Sequence, residues 1–268
     1  MLARNQVTAA RIDAHIKQLC SEQSSRADVH IWRIPLAGDE ASECAVRNFG
    51  FLSMQECSRA ESFLRQPPRE TYVQTRIALR CLLGLYLQQH PAEVQIEIDA
   101  FGKPFIAAAA DSWLCFNLAH SGAYALVAIA RERRIGVDIE QKREDIDHAT
   151  LAKNFFAPEE REELAQLSPP SQLKAFFDCW TRKEAYLKAT GSGLSTPLDS
   201  FVVSTMPGAP CALLKVAGDP RAASCWTLRD VPTAPGYAAA FAAEGAISQF
   251  HCLDYSAALA GAASTRKV

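Results

Sequence analysis

At 268 residues, 49% hydrophobic and 22% charged, the chain has the composition of an ordinary globular protein and is long enough for one large domain or two small ones. A formal net charge of −2 gives no basis for a general affinity for nucleic acid or membrane, so neither is expected as a partner. Nine cysteines, an odd count without CxxC pairs or zinc-spaced histidine clusters, argue against a disulfide framework or a zinc site and for reduced thiols in a cytoplasmic protein.

Residues 1–26 lack a continuous apolar run and contain Asp13, His15, Lys17 and Glu22, which argues against a signal peptide and for a polar extension outside the core. No segment approaches the length of a membrane span. Val29–Ile34 alternates as a half-buried strand does. Helical patterning covers about Ser53 to Leu64, and a longer helix runs from about Arg69 until Pro91 forbids it. Five arginines between Cys57 and Arg80 (Arg59, Arg65, Arg69, Arg76 and Arg80) meet only Glu61 and Glu70. They form either a solvated helix face or a patch for a small polyanion. Strands are expected at Val94–Ile98, Trp113–Leu118 and Tyr124–Ala130, with His120 at the tip of the hairpin joining the last two.

The charged run Arg131–Arg134 and a new strand, Ile135–Ile139, divide an N-terminal half (27–133) from a C-terminal half (134–244). In the second half a helix starts at Pro158, Pro169-Pro170 breaks it, and another runs from an N-cap at Ser171 to Gly191. Strand-like runs follow at Phe201–Ser204, Leu213–Val216, Cys225–Leu228 and Tyr237–Ala242. Both halves therefore read as helices followed by an antiparallel meander. This predicts an α+β duplication with a cleft between the halves, despite little residue-level similarity. The Ala- and Gly-rich segment 245–268 reads as a mobile tail.

In a strand over Gly136–Glu140, Asp138 and Glu140 point to the same face while Val137 and Ile139 enter the core. Two carboxylates on one face suit a magnesium ion or a solvated surface. The second helix has an inward stripe of Leu173, Phe176, Phe177, Trp180 and Leu187, and Glu184 falls within it. An ion pair with Lys188 is the simple explanation; a metal shared with Asp138 and Glu140 explains the inward placement better. Lys183 and Lys188 would then reach phosphate oxygens. Lys103 stands in the turn Phe101-Gly102-Lys103-Pro104, which by itself reads as a structural turn, and His120 could meet an anion if protonated or be simply structural or exposed.

In order along the chain stand Phe101–Pro104, Phe116–Ser121, Ile135–Glu140, Phe155–Glu160 and Trp180–Leu194. This series resembles that of the 4′-phosphopantetheinyl transferases of the surfactin-synthetase-activating type, with order and approximate spacing matching over residues 50–205. The resemblance implies two similar α+β halves about a pseudo-twofold axis, with coenzyme A between them as substrate and Mg2+ as cofactor. It implies Asp138, Glu140 and Glu184 as metal ligands. Lys188 would contact the pyrophosphate; Lys103, His120 and, by a looser match, Arg59 would hold the coenzyme's phosphates. Glu184 is the candidate base and Lys188 the group that offsets charge on the leaving phosphate. Two departures stand out: Ala119 replaces a frequent serine, and Glu56 occupies a place that is basic elsewhere.

The implied reaction moves the phosphopantetheine arm onto a serine of an apo acyl or peptidyl carrier protein and releases adenosine 3′,5′-bisphosphate. The protein is expected to act as a monomer and to meet its carrier transiently. The alternatives are a magnesium-dependent hydrolase of nucleotide diphosphates and a non-catalytic carrier-binding module.

Overall fold

The structure, a computed structural model, describes Ile16, residues 28–107, residues 113–256 and Leu259. The first half opens with β1 (Asp28–Pro35), then helices α1 (Asp39–Arg47), α2 (Met54–Glu61) and α3 (Gln66–Leu87). A short hairpin of β2 (Ile96–Ile98) and β3 (Pro104–Ile106) leads to β4 (Leu114–Ser121) and β5 (Tyr124–Arg131). The second half repeats this order: β6 (Ile135–Gln141), α4 (His148–Phe155), α5 (Pro158–Ala165) and α6 (Pro169–Thr190). Then come the hairpin β7 (Phe201–Val203) and β8 (Leu213–Val216), followed by β9 (Trp226–Asp230) and β10 (Tyr237–Glu244).

Pairing repeats as well as order. In the first half β5 lies between β1 and β4, and in the second β10 lies between β6 and β9, all antiparallel. The fold is α+β, built from two similar halves. One core lies against α3, a second against α6, and a third joins the halves, where Val29, Ile31 and Leu126 meet Val137, Ile139 and Phe241. The alternation seen in β6 is thus explained: its apolar residues face the other half.

Several expectations are corrected. Residues 249–254, read as part of a tail, form β11 (Gln249–Asp254), which pairs in parallel with β1 and extends the first half's sheet. Ile16, in the segment placed outside the core, is buried in the first core, while the rest of 1–26 lies outside the described residues. Two helices do meet here as expected, but the break lies at residues 166–168, and Pro169 and Pro170 form the first turn of α6, where proline lacks only an N–H that a first turn leaves unpaired anyway. Its N-cap is Ser168, not Ser171. The helix ends as expected at Gly191, which adopts φ 73°. His120 sits within β4 opposite Ala125, and the turn is Gly122-Ala123. The sequence reading missed α1, α4, β3 and β11. No helix among the described residues is long and apolar enough to cross a membrane.

Two buried ion pairs brace the helices. Glu56 caps α2 by accepting from the Ser53 amide at 2.9 Å and also accepts from Arg80 Nε at 2.6 Å. Arg80 then donates to the carbonyls of Pro91 and Val94, each at 3.0 Å. Glu160 accepts from the amides of Ala157 and Val203 and pairs with Lys183 at 2.8 Å. Lys183 also donates to the carbonyls of Leu198 at 2.8 Å and Phe201 at 2.6 Å. Lys183 and Arg80 are therefore not phosphate ligands; every polar atom they carry into the interior needs a protein partner, and has one. Likewise Glu56 is an internal counter-charge, which explains the departure at that position.

Candidate active site

The two halves meet along β4 and β6 without a regular ladder. Instead two side chains of β4 replace a neighbouring strand. Asn117 Oδ1 accepts from the Val137 amide at 2.9 Å, and Ser121 Oγ accepts from the Gln141 amide at 3.0 Å. Asn117 and Ser121 are four apart on β4, so they share a face, as Val137 and Gln141 do on β6. Ser121 Oγ also donates to Glu140 Oε2 at 2.8 Å. Ala119, between them on the same face, is buried in the core that joins the halves.

On the opposite face of β6, α6 crosses at Gly136. A Cβ built there would overlap the Ala185 carbonyl oxygen, the Ala189 amide nitrogen and the Lys188 carbonyl carbon, all backbone atoms. Only glycine lets the helix come this close. The crossing delivers Glu184 and Lys188, on either side of Ala185, to the carboxylates of β6. Lys188 Nζ donates to Asp138 Oδ1 at 2.6 Å. Asp138 is 3% exposed, and its Oδ2 is buried without a partner.

Burial raises the Asp138 carboxyl to about 7; the Lys188 ammonium opposes the shift, and the charges of Glu140 and Glu184 add to it. Burial also raises Glu184, with Lys188 lowering it and Glu140 raising it. The expected acids are thus within electrostatic reach of one another. As the side chains stand, no three His, Cys, Asp or Glu among the described residues form a group able to hold a metal. Lys188 and Ser121 hold two of the acids instead. The donor set still fits a hard divalent cation: it is all oxygen, and one buried carboxylate oxygen is left to be satisfied.

Glu184 and Lys188 also line a cavity of about 290 Å³ between the halves. Its other wall includes Phe101, Lys103, Asn117 and Leu118 from the first half. The turn bearing Lys103 is held by Asp99, whose Oδ1 accepts from the amides of Phe101 at 2.9 Å and Lys103 at 2.8 Å. Lys103 Nζ donates to the Lys188 carbonyl at 2.6 Å and the Ile135 carbonyl at 3.2 Å, so it stitches the first half to the α6–β6 crossing. Burial lowers its pKa. His120, on β4, is exposed, yet desolvation lowers its pKa and the Lys188 charge lowers it further.

Arg59 stands apart. It is exposed on α2, its guanidinium 5.2 Å from the Phe63 ring centroid, and it is not among the residues lining the cavity. Asn117, Ser121 and Gly136 stand within the matched motifs, but their roles emerge only from the fold. The period-two spacing of Asn117 and Ser121 was a usable signal. Nothing local marked the close approach at Gly136, because the partner is a helix 49 residues or more downstream.

Comparison with known proteins points to one family. The model of the 4′-phosphopantetheinyl transferase superfamily matches residues 134–242, which hold β6, α6 and the second half's sheet. The 4′-phosphopantetheinyl transferase HetI of Nostoc is 37% identical over 219 residues, 81% of this chain and 88% of that protein. The chain belongs to the 4′-phosphopantetheinyl transferase superfamily. A 4′-phosphopantetheinyl transferase of Bacillus subtilis is 40% identical over 114 residues, covering 42% of this chain and 48% of its own. The transferase Sfp, also of Bacillus subtilis, is 29% identical over 157 residues, covering 59% and 68%. As a phosphopantetheinyl transferase, the protein is an enzyme, and the non-catalytic alternative falls away.

Proposed function

We propose that this phosphopantetheinyl transferase moves the 4′-phosphopantetheine arm of coenzyme A to a serine hydroxyl of an apo acyl or peptidyl carrier protein, releasing adenosine 3′,5′-bisphosphate. The observation that carries the reading is the convergence of Asp138, Glu140, Glu184 and Lys188 where α6 crosses β6. A transfer between phosphate oxygens needs little covalent help from the protein; it needs the reactants held in line and their charge offset.

Asp138, Glu140 and Glu184 are the residues that would hold magnesium, which when bound supplies Lewis-acid stabilisation of the phosphate charge. The cavity between the halves is where the coenzyme binds, with Lys188, Lys103 and His120 toward its phosphates. Arg59 is the remote contact in this scheme. Glu184, whose carboxyl burial makes more basic than an ordinary glutamate, takes the proton of the attacking hydroxyl. Both walls of the cleft come from one chain, which supports a monomer as the working form, and a cytoplasmic site of action goes with the reduced cysteines.

The test is intact-mass spectrometry of several apo carrier proteins incubated with the enzyme, coenzyme A and magnesium, with a chelator control. The expected result is a gain of one phosphopantetheine group, abolished by chelation. Coenzyme A consumed without any carrier would favour the hydrolase reading, and no gain on any carrier would overturn the proposal.

A further inference from the structure

The Lys188 ammonium has two incompatible tasks. In this structure it is committed to Asp138, at 2.6 Å from Oδ1, and that carboxylate is almost wholly buried. In the proposed reaction it must meet the coenzyme's phosphates, and Asp138 must serve a divalent cation. Resting on that magnesium reading, we infer that Lys188 is an internal stand-in for the metal's charge: it competes with magnesium at Asp138 and is released toward the pyrophosphate only when the metal arrives.

A carboxylate has two oxygens a little over two ångströms apart, so a cation on Oδ2 lies only a few ångströms from an ammonium on Oδ1. Two like charges at that separation, in a buried setting where water screens little, repel strongly. Even the free Oδ2 is therefore closed to a divalent ion while Lys188 stays in place. Lys188 is well suited to leave. Its side chain is 31% exposed, against 5% for Asp138, so the lysine can turn toward the cavity it already lines while the acid stays fixed. Lysine is also a compact charge on a flexible stem rather than a forked, two-point ligand.

Nor is the helix backbone beneath it free to follow. The Lys188 carbonyl is held by Lys103, and the helix is pressed against Gly136. The exchange is thus a side-chain swing and not a helix shift. One consequence is order: magnesium on Asp138 makes the lysine available, so metal and coenzyme bind better together than apart.

The test needs no turnover. Magnesium alone is titrated calorimetrically into protein stripped of divalent ions, for the wild type, Lys188→Met and Lys188→Arg. Removing the competing charge should tighten magnesium binding by about tenfold or more in Lys188→Met, and Lys188→Arg, which keeps the charge, should stay close to wild type. Magnesium should also raise the melting temperature of Lys188→Met by more than that of the wild type, because only the variant has no protein cation that the metal must displace from Asp138. Should Lys188→Met fail to fold, Lys188→Gln carries the same test, since an amide can still donate to Oδ1 without the charge. Equal or weaker magnesium binding in the neutral variants would overturn this inference while leaving the magnesium reading intact. No binding by wild type or variants would overturn both.

Discussion

Arg80 is the fifteenth residue of α3, and Lys183 is the fifteenth of α6. Each is buried, pairs with the glutamate at the third position of the preceding helix, and donates to two carbonyls of the segment that follows its own helix. The two halves thus share a brace as well as a topology, although their sequences show little likeness. The site is different. Trp32 lies opposite the fourth residue of β5, as Asp138 lies opposite the fourth of β10. By the same registers Ile34 corresponds to Glu140 and His30 to Gly136, and along the long helices Cys81 corresponds to Glu184 and Leu85 to Lys188. Apart from His30, one frame is filled with apolar side chains, and all five residues are buried. The other carries three acids and a lysine. The lesson is that the brace belongs to the fold and the carboxylates to the chemistry, since nothing in the frame itself requires them.

The sharpest way to break the comparison is at the braces. Lys183→Met and Arg80→Met should each cost about 3–5 kcal/mol in chemical denaturation, because each leaves a buried glutamate unpaired. Pairing Lys183→Met with Glu160→Gln should recover part of that loss, and equal losses in single and double variants would disprove the brace. Gly136→Ala comes next. Its methyl group meets backbone rather than a movable side chain, so it should destabilise the fold by roughly 1–3 kcal/mol and abolish most transfer activity. A variant with normal activity would mean that α6 can retreat without consequence.

Glu184→Gln should keep the melting temperature but lower turnover by roughly 10²-fold, measured by transfer to a carrier protein. Cys81→Ala, at the corresponding place in the first half, should lower stability and leave turnover per folded molecule unchanged.

A pH series sharpens the contrast further. The folded Asp138 carboxyl is raised to about 7 from an ordinary 3.8, so its contribution to stability is fully present below about 3.8 and is lost as the pH rises through about 7. Asp138→Asn should lack that decline, so its melting temperature relative to wild type should improve between pH 5 and pH 8. A constant difference would show that the carboxyl is not raised. The smallest effect is expected from Ser121→Ala, which removes one donor to Glu140 and the acceptor for the Gln141 amide; a loss of about 1 kcal/mol should be measurable by denaturation.

Most of the elements and all three acids are legible along the chain. Alternation in β6 put Asp138 and Glu140 on one face, and the stripe in α6 turned Glu184 inward, because periodicity is a local property that neighbouring residues carry. Cap and turn chemistry marked Gly191 in the same way. Which charges meet is set by the packing of distant elements. Lys183 and Lys188 look alike in the sequence, five residues apart on one helix, yet one is sealed against Glu160 and the other reaches Asp138. Arg80 left the basic patch for the same reason, and β11 left the tail because a distant strand, β1, had an edge to pair. Those outcomes depend on partners that lie 23 to more than 200 residues away, where no spacing rule operates, and burial then forces each polar group onto whichever partner the fold brings within reach.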